Sequence, residues 1–175
     1  KYFFSIDDQP YASLFKIYSH EFLTVSIFKG LIDPSNLSVA GGGTPVVTSA
    51  CERKHHVCDC LEKGITDCSC DRFFSPPNCD IGWDSSRDCF YNDYALYMLV
   101  AANSESDLPL FSLLHPASKH DSHGFLETYF RFKAFLPDLH VSKWLLDSAH
   151  DAMPYYLYCR KNCIRPFIAL NEKRG

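Results

Sequence analysis

The sequence predicts a mixed-sheet α/β domain, on three observations. Apolar residues recur at helical spacing in some stretches and form short, strand-length runs in others. The last three elements read strand, helix of about 12 residues, strand, a spacing that implies a right-handed parallel crossover. Ahead of them, two strand-like runs are joined by a polar turn, as in a hairpin.

Each element has its own justification. Residues 11–30 place Leu14, Phe15, Tyr18, Phe22, Leu23, Ile27 and Phe28 close to a helical period, one face of a helix ending at Gly30. Residues 37–40 are a short apolar run that Gly41-Gly42-Gly43 is expected to stop, a strand followed by a glycine turn. Residues 48–89 lose the pattern. They are polar and cysteine-rich, contain Pro76-Pro77, and are too many for an ordinary loop. Residues 94–101 and 108–114 are the hairpin strands. Residues 124–136 set Phe125, Leu126, Tyr129, Phe130 and Lys133 against Glu127, Thr128 and Arg131, an amphipathic helix. Residues 141–146 form a strand, Asp151 is the expected cap of a helix with Pro154 in its first turn, and residues 165–170 form the last strand. The order is three antiparallel strands, then helix, strand, helix, strand, with a Cys-rich insertion between the first two strands. Residues 1–33 are the expected N-terminal helical segment, and residues 34–175 the α/β domain, with 48–89 as its insertion.

Composition bounds the function. A length of 175 residues fits one domain with a sizeable insertion. With 46% apolar and 22% charged residues the chain is not of the disordered class. No apolar run reaches the ~20 residues of a membrane span. A net charge of −4 argues against a chain basic throughout for nucleic acid, though not against a local basic patch. The first residue is Lys1, in mid-pattern, and the chain stops just after an apolar run, so it is expected to be a fragment of something longer.

The nine cysteines are an odd number, and five of them (Cys58, Cys60, Cys68, Cys70, Cys79) fall within 22 residues. This reads as a reducing compartment with a local metal or thiol cluster. Cys58-x-Cys60 and Cys68-x-Cys70 can supply four thiolates to one tetrahedral Zn²⁺, with Cys79, His55 and His56 as spare candidates. Reduced thiols and, last, disulfides are the alternatives. Cys159 and Cys163 are four apart on a predicted helix and read as packing thiols.

Polar chemistry in an open sheet with parallel strands collects at strand C-terminal ends. Asp147 is placed there by Trp144-Leu145-Leu146, either to reach a metal at the sheet rim or to cap the next turn. His150 reads as a loop histidine, and Asp121 or Ser122 as a helix cap. Gly41-Gly42-Gly43-Thr44 lacks the Lys-Ser/Thr ending of a phosphate loop. Arg160, Lys161, Arg165, Lys173 and Arg174 are either phosphate contacts or a solvated face.

Several segments, in order, carry a family resemblance: Ala40-Gly41-Gly42-Gly43-Thr44-Pro45, Val57-Cys58-Asp59-Cys60, Cys68-Ser69-Cys70-Asp71-Arg72-Phe73-Phe74-Ser75, Gly82-Trp83-Asp84-Ser85, Leu96-Tyr97-Met98-Leu99, His120-Asp121-Ser122, Leu146-Asp147-Ser148-Ala149 and Pro166-Phe167-Ile168-Ala169-Leu170-Asn171. Together they resemble the DDE-type transposases of bacterial insertion sequences, within them a group with a cysteine-rich insertion. The resemblance implies an RNase H-like catalytic domain and metal-dependent DNA cleavage and strand transfer. It implies Mg²⁺ or Mn²⁺ held by two Asp and one Glu. It further implies transposon-end and target DNA as partners, an oligomer on DNA, and a bacterial cytoplasmic, nucleoid-associated location. Asp147 matches the second Asp. The first falls at Gly42, which offers no carboxylate. The Glu is expected beyond residue 175, since Glu172 follows a strand and does not match it. The expectation is a transposase fragment without activity. The alternative is a non-catalytic zinc-containing DNA-binding or interaction module on the same fold.

Overall fold

The computed structural model describes residues 12–51, 58–60, 62–65 and 79–172. Its elements are helix α1 (Ala12–Tyr18), a π-helical turn (Ser19–Leu23), α2 (Thr24–Phe28), β1 (Leu37–Val47), β2 (Asp80–Asp84), β3 (Cys89–Ala101), β4 (Leu108–Pro116), α3 (Asp121–Phe135), β5 (Val141–Leu146), a 3₁₀ turn (Ser148–His150), α4 (Met153–Lys161) and β6 (Arg165–Ile168). The fold is mixed α/β. One six-stranded sheet runs β2-β3-β1-β5-β6, with β4 also paired to β3. β1 and β5 are parallel, β5 and β6 are parallel, and β2 runs antiparallel to β3.

Two compact units divide the chain. The first holds residues 1–43, 97–113 and 121–175. Its core is aromatic because α3, β5 and α4 each bring rings inward. Trp144 is fully buried, stacks on Tyr158 at 5.3 Å and meets the edges of Phe125 and Tyr129 at 4.8 Å. Such offset and edge contacts add to the area the rings bury. In the N-terminal helices, Phe15 stacks on Phe111 at 4.4 Å, and the Tyr18 hydroxyl donates to the Pro109 carbonyl.

The second unit holds residues 44–96 and 114–120. Asp80 pairs with Asp93 and Asp84 with Cys89 along β2 and β3. The connecting turn is tied by Asp84 Oδ1, which accepts from Ser86 Oγ at 2.6 Å, Ser86 N at 2.9 Å and Arg87 N at 3.3 Å. Those bonds, the Ser86 hydroxyl first, hold the Asp84 carboxyl below the usual carboxylate range. Asp93 is buried and accepts from the Thr48 hydroxyl.

The structure departs from the sequence expectations at particular elements. β1 does not stop at Gly41 but continues through the three glycines to Val47. None of them has a positive φ, so no turn forms there. β2 lies inside the stretch expected to be patternless. β6 ends at Ile168, earlier than expected. The N-terminal helix is interrupted by the π turn. It inserts residues into the helical phase, and Phe22 and Phe28 come out exposed, not on the buried face. On α3, Thr128 is fully buried with its hydroxyl donating to the Gly124 carbonyl at 2.7 Å, whereas Phe130 is exposed. Asp151 does not cap α4. Ala152 holds that position, and Asp151 instead accepts from the Tyr156 hydroxyl and the Asn171 amide. Pro154 sits in the first turn of α4 as expected. Cys159 is buried, but Cys163 lies past the helix end, exposed at φ 56°, so the two do not share a face.

Candidate functional site

The residues singled out in the sequence lie midway along β1, at Gly41-Gly42-Gly43, and directly after β5, at Asp147. In register, Val39 pairs with Trp144 and Ala40 with Leu145. Gly42 and Asp147 each lie two residues beyond the last of these pairs. Asp147 follows β5 directly and is exposed. Its Oδ1 accepts from the Ala149 amide at 3.0 Å, capping the 3₁₀ turn, and lies 2.6 Å from His150 Nδ1.

His150 is not a loop histidine. Its ring is fully buried, with Phe125 and Tyr155 edge-on at 5.6 Å. On its far side, Nε2 lies 2.9 Å from the Tyr97 hydroxyl of β3. Tyr97 is itself buried. Burial first, then the charges of Asp121 and Asp147, push its hydroxyl well above the ordinary tyrosine range. Both carboxylates therefore act on the same buried hydroxyl. Tyr155 is raised for the same reasons, burial and then Asp147, and its hydroxyl donates to the Ser122 carbonyl.

The glycine run is explained by its neighbours. A methyl group at Gly41 would stand 2.9 Å from Phe125 Cδ2 and 3.0 Å from the Tyr97 ring and hydroxyl. One at Gly43 would stand 2.6 Å from Asp121 Oδ1. At Gly42 it would meet nothing within 4 Å. Gly41 makes room for a buried ring and Gly43 for the Asp121 carboxylate, whereas Gly42 is open. The sequence reads Asp121 or Ser122 as the helix cap. Asp121 does begin α3, but its carboxylate lies against β1. A carboxylate at the start of a helix looks like a cap, and a contact 78 positions away leaves no local signal.

These donors do not fit a two-metal centre. Two ions acting on one phosphate need carboxylates that reach both of them, and of the two sequence-matched positions Asp147 offers one carboxylate and Gly42 none. Among the described residues no group of three or more His, Cys, Asp or Glu is placed to hold a metal. Of the expected zinc ligands, Cys58 is exposed and Cys60 half-buried, in a turn where Lys63 N donates to the Cys60 carbonyl at 3.1 Å. Cys68, Cys70, His55 and His56 lie outside the described residues. Cys79 is buried, and burial, then Asp93 and Asp80, push its thiol up. Arg160, Lys161 and Arg165 are exposed, and Lys173 and Arg174 lie outside the described residues.

No known family model, curated protein or solved structure matches the chain. Among the described residues no helix is long and apolar enough to cross a membrane.

Proposed function

We propose that the chain is part of the RNase H-like catalytic domain of a DDE-type transposase, in a copy that does not cleave DNA. The observation that carries this reading is the parallel pairing of β1 with β5, in register up to Ala40 and Leu145, two residues before Gly42 and Asp147. It is there that the sequence resemblance puts the first two carboxylates of the family. The strand order β4-β3-β1-β5-β6, with helices α3 and α4 leading into β5 and β6, supports the same reading. Glycine at the first position leaves Asp147 without the partner a metal pair requires. DNA is the partner and Mg²⁺ or Mn²⁺ the cofactor of this reading, with Zn²⁺ on Cys58, Cys60, Cys68 and Cys70 as a structural ion of the insertion.

Two assays test it. The purified chain is expected not to nick supercoiled DNA with Mg²⁺ or Mn²⁺. Robust nicking that disappears in Asp147→Ala overturns the inactive assignment. Gly42→Asp is expected to raise Mn²⁺ affinity at least tenfold, read by electron paramagnetic resonance of free Mn²⁺. No gain in a folded variant counts against the transposase reading itself.

A further inference from the structure

We propose that His150 and Tyr97 form a buried brace that fixes the orientation of the Asp147 carboxylate. They act as positioning residues that touch neither metal nor DNA. The role of Asp147 rests on the transposase reading. The brace itself rests on geometry.

Asp147 stands just beyond the last residue of β5, with an exposed side chain. An exposed aspartate ordinarily samples several rotamers, at a cost in order whenever it must hold one. Here one oxygen is held twice, by the Ala149 amide and by His150 Nδ1. Oδ2 has no hydrogen-bond partner among the described residues and is left to solvent. The histidine cannot swing away. It is sealed among Phe125, Tyr155 and Tyr97, and its second nitrogen meets the Tyr97 hydroxyl.

The chemistry fixes the direction of each bond. A carboxylate only accepts, so Nδ1 carries the proton and donates to Asp147. In the neutral ring Nε2 is then an acceptor, and the Tyr97 hydroxyl donates to it. The chain of bonds runs from β3, through a buried ring, to a carboxylate just past the end of β5. Gly41 belongs to the same device, since a side chain there would displace Tyr97. Partners one step removed from a carboxylate orient it in this way.

Nuclear magnetic resonance of the unmodified chain tests the brace without any metal, so its outcome stands apart from the cleavage and Mn²⁺ assays. The His150 ring is expected to show one tautomer, with a protonated Nδ1 and an unprotonated Nε2. The Asp147 β-protons are expected to show the unequal couplings of one fixed χ1. In His150→Phe those couplings are expected to average, while the chemical shifts of β1 and β6 hold. His150→Asn, whose amide can replace the Nδ1 donor, is expected to restore them. A fixed Asp147 rotamer in folded His150→Phe, or averaged tautomers in the native ring, overturns the proposal. Tyr97→Phe removes one hydroxyl and nothing else, and covers the case in which His150→Phe does not fold. It is expected to shift the Nε2 resonance, and an unmoved resonance overturns the brace.

Discussion

A methyl group added at Gly41 and one added at Gly42 meet opposite surroundings one residue apart. The first would press on Phe125 and Tyr97, both buried and both fixed by other rings. Overpacking of that kind costs about 1–3 kcal/mol. The second enters open space at an ordinary strand φ. Gly41→Ala is therefore expected to lower the free energy of unfolding by about 1–3 kcal/mol, and Gly42→Ala to change it by no more than about 0.5 kcal/mol. Urea denaturation of the two variants side by side checks this, and equal effects would contradict the packing described. In the sequence the three glycines are identical letters and read as a turn. What separates them is Tyr97, Phe125 and Asp121, all remote in the chain. His150 reads as a loop histidine for the same reason, since its anchoring hydroxyl is 53 positions away.

At the level of elements, α4 shows how packing shifts a titration. Cys159 is wholly buried on its inner face, and burial pushes its thiol from the ordinary value of 9.0 up to about 11. The folded state therefore holds the proton where the unfolded chain releases it. The stabilisation is complete below pH 9 and is lost as pH rises from 9 to about 11. The urea midpoint is expected to fall over that window in the native chain and to fall less in Cys159→Ala. Parallel curves for the two proteins would refute the assignment. The elements legible in the sequence were those with dense apolar patterning, β5, α4 and the start of β6 among them. β2 was hidden because its five residues alternate weakly inside a polar stretch. The π turn was hidden because a helical period cannot show where the backbone takes an extra residue.

For the whole molecule, the cysteine stretch is the segment to which the zinc expectation belongs. On the transposase reading with its zinc, protein purified without chelator is expected to carry one equivalent of Zn²⁺, by inductively coupled plasma mass spectrometry. Stripping it with a strong chelator is expected to expose residues 48–79 to protease while β5 and α4 stay protected. A metal-free protein with the same protection pattern would remove zinc from the account. The mixed α/β class was legible because helix and strand periods alternate along the chain. The division into two compact units was not, since it cuts β1, β3 and β4 within single strands.

The open space at Gly42 also has a meaning in the language of genes. Every glycine codon becomes an aspartate or glutamate codon by one change at its middle base. A carboxylate midway along β1 is thus a single nucleotide away, and the packing around it sets up no steric obstacle to that step.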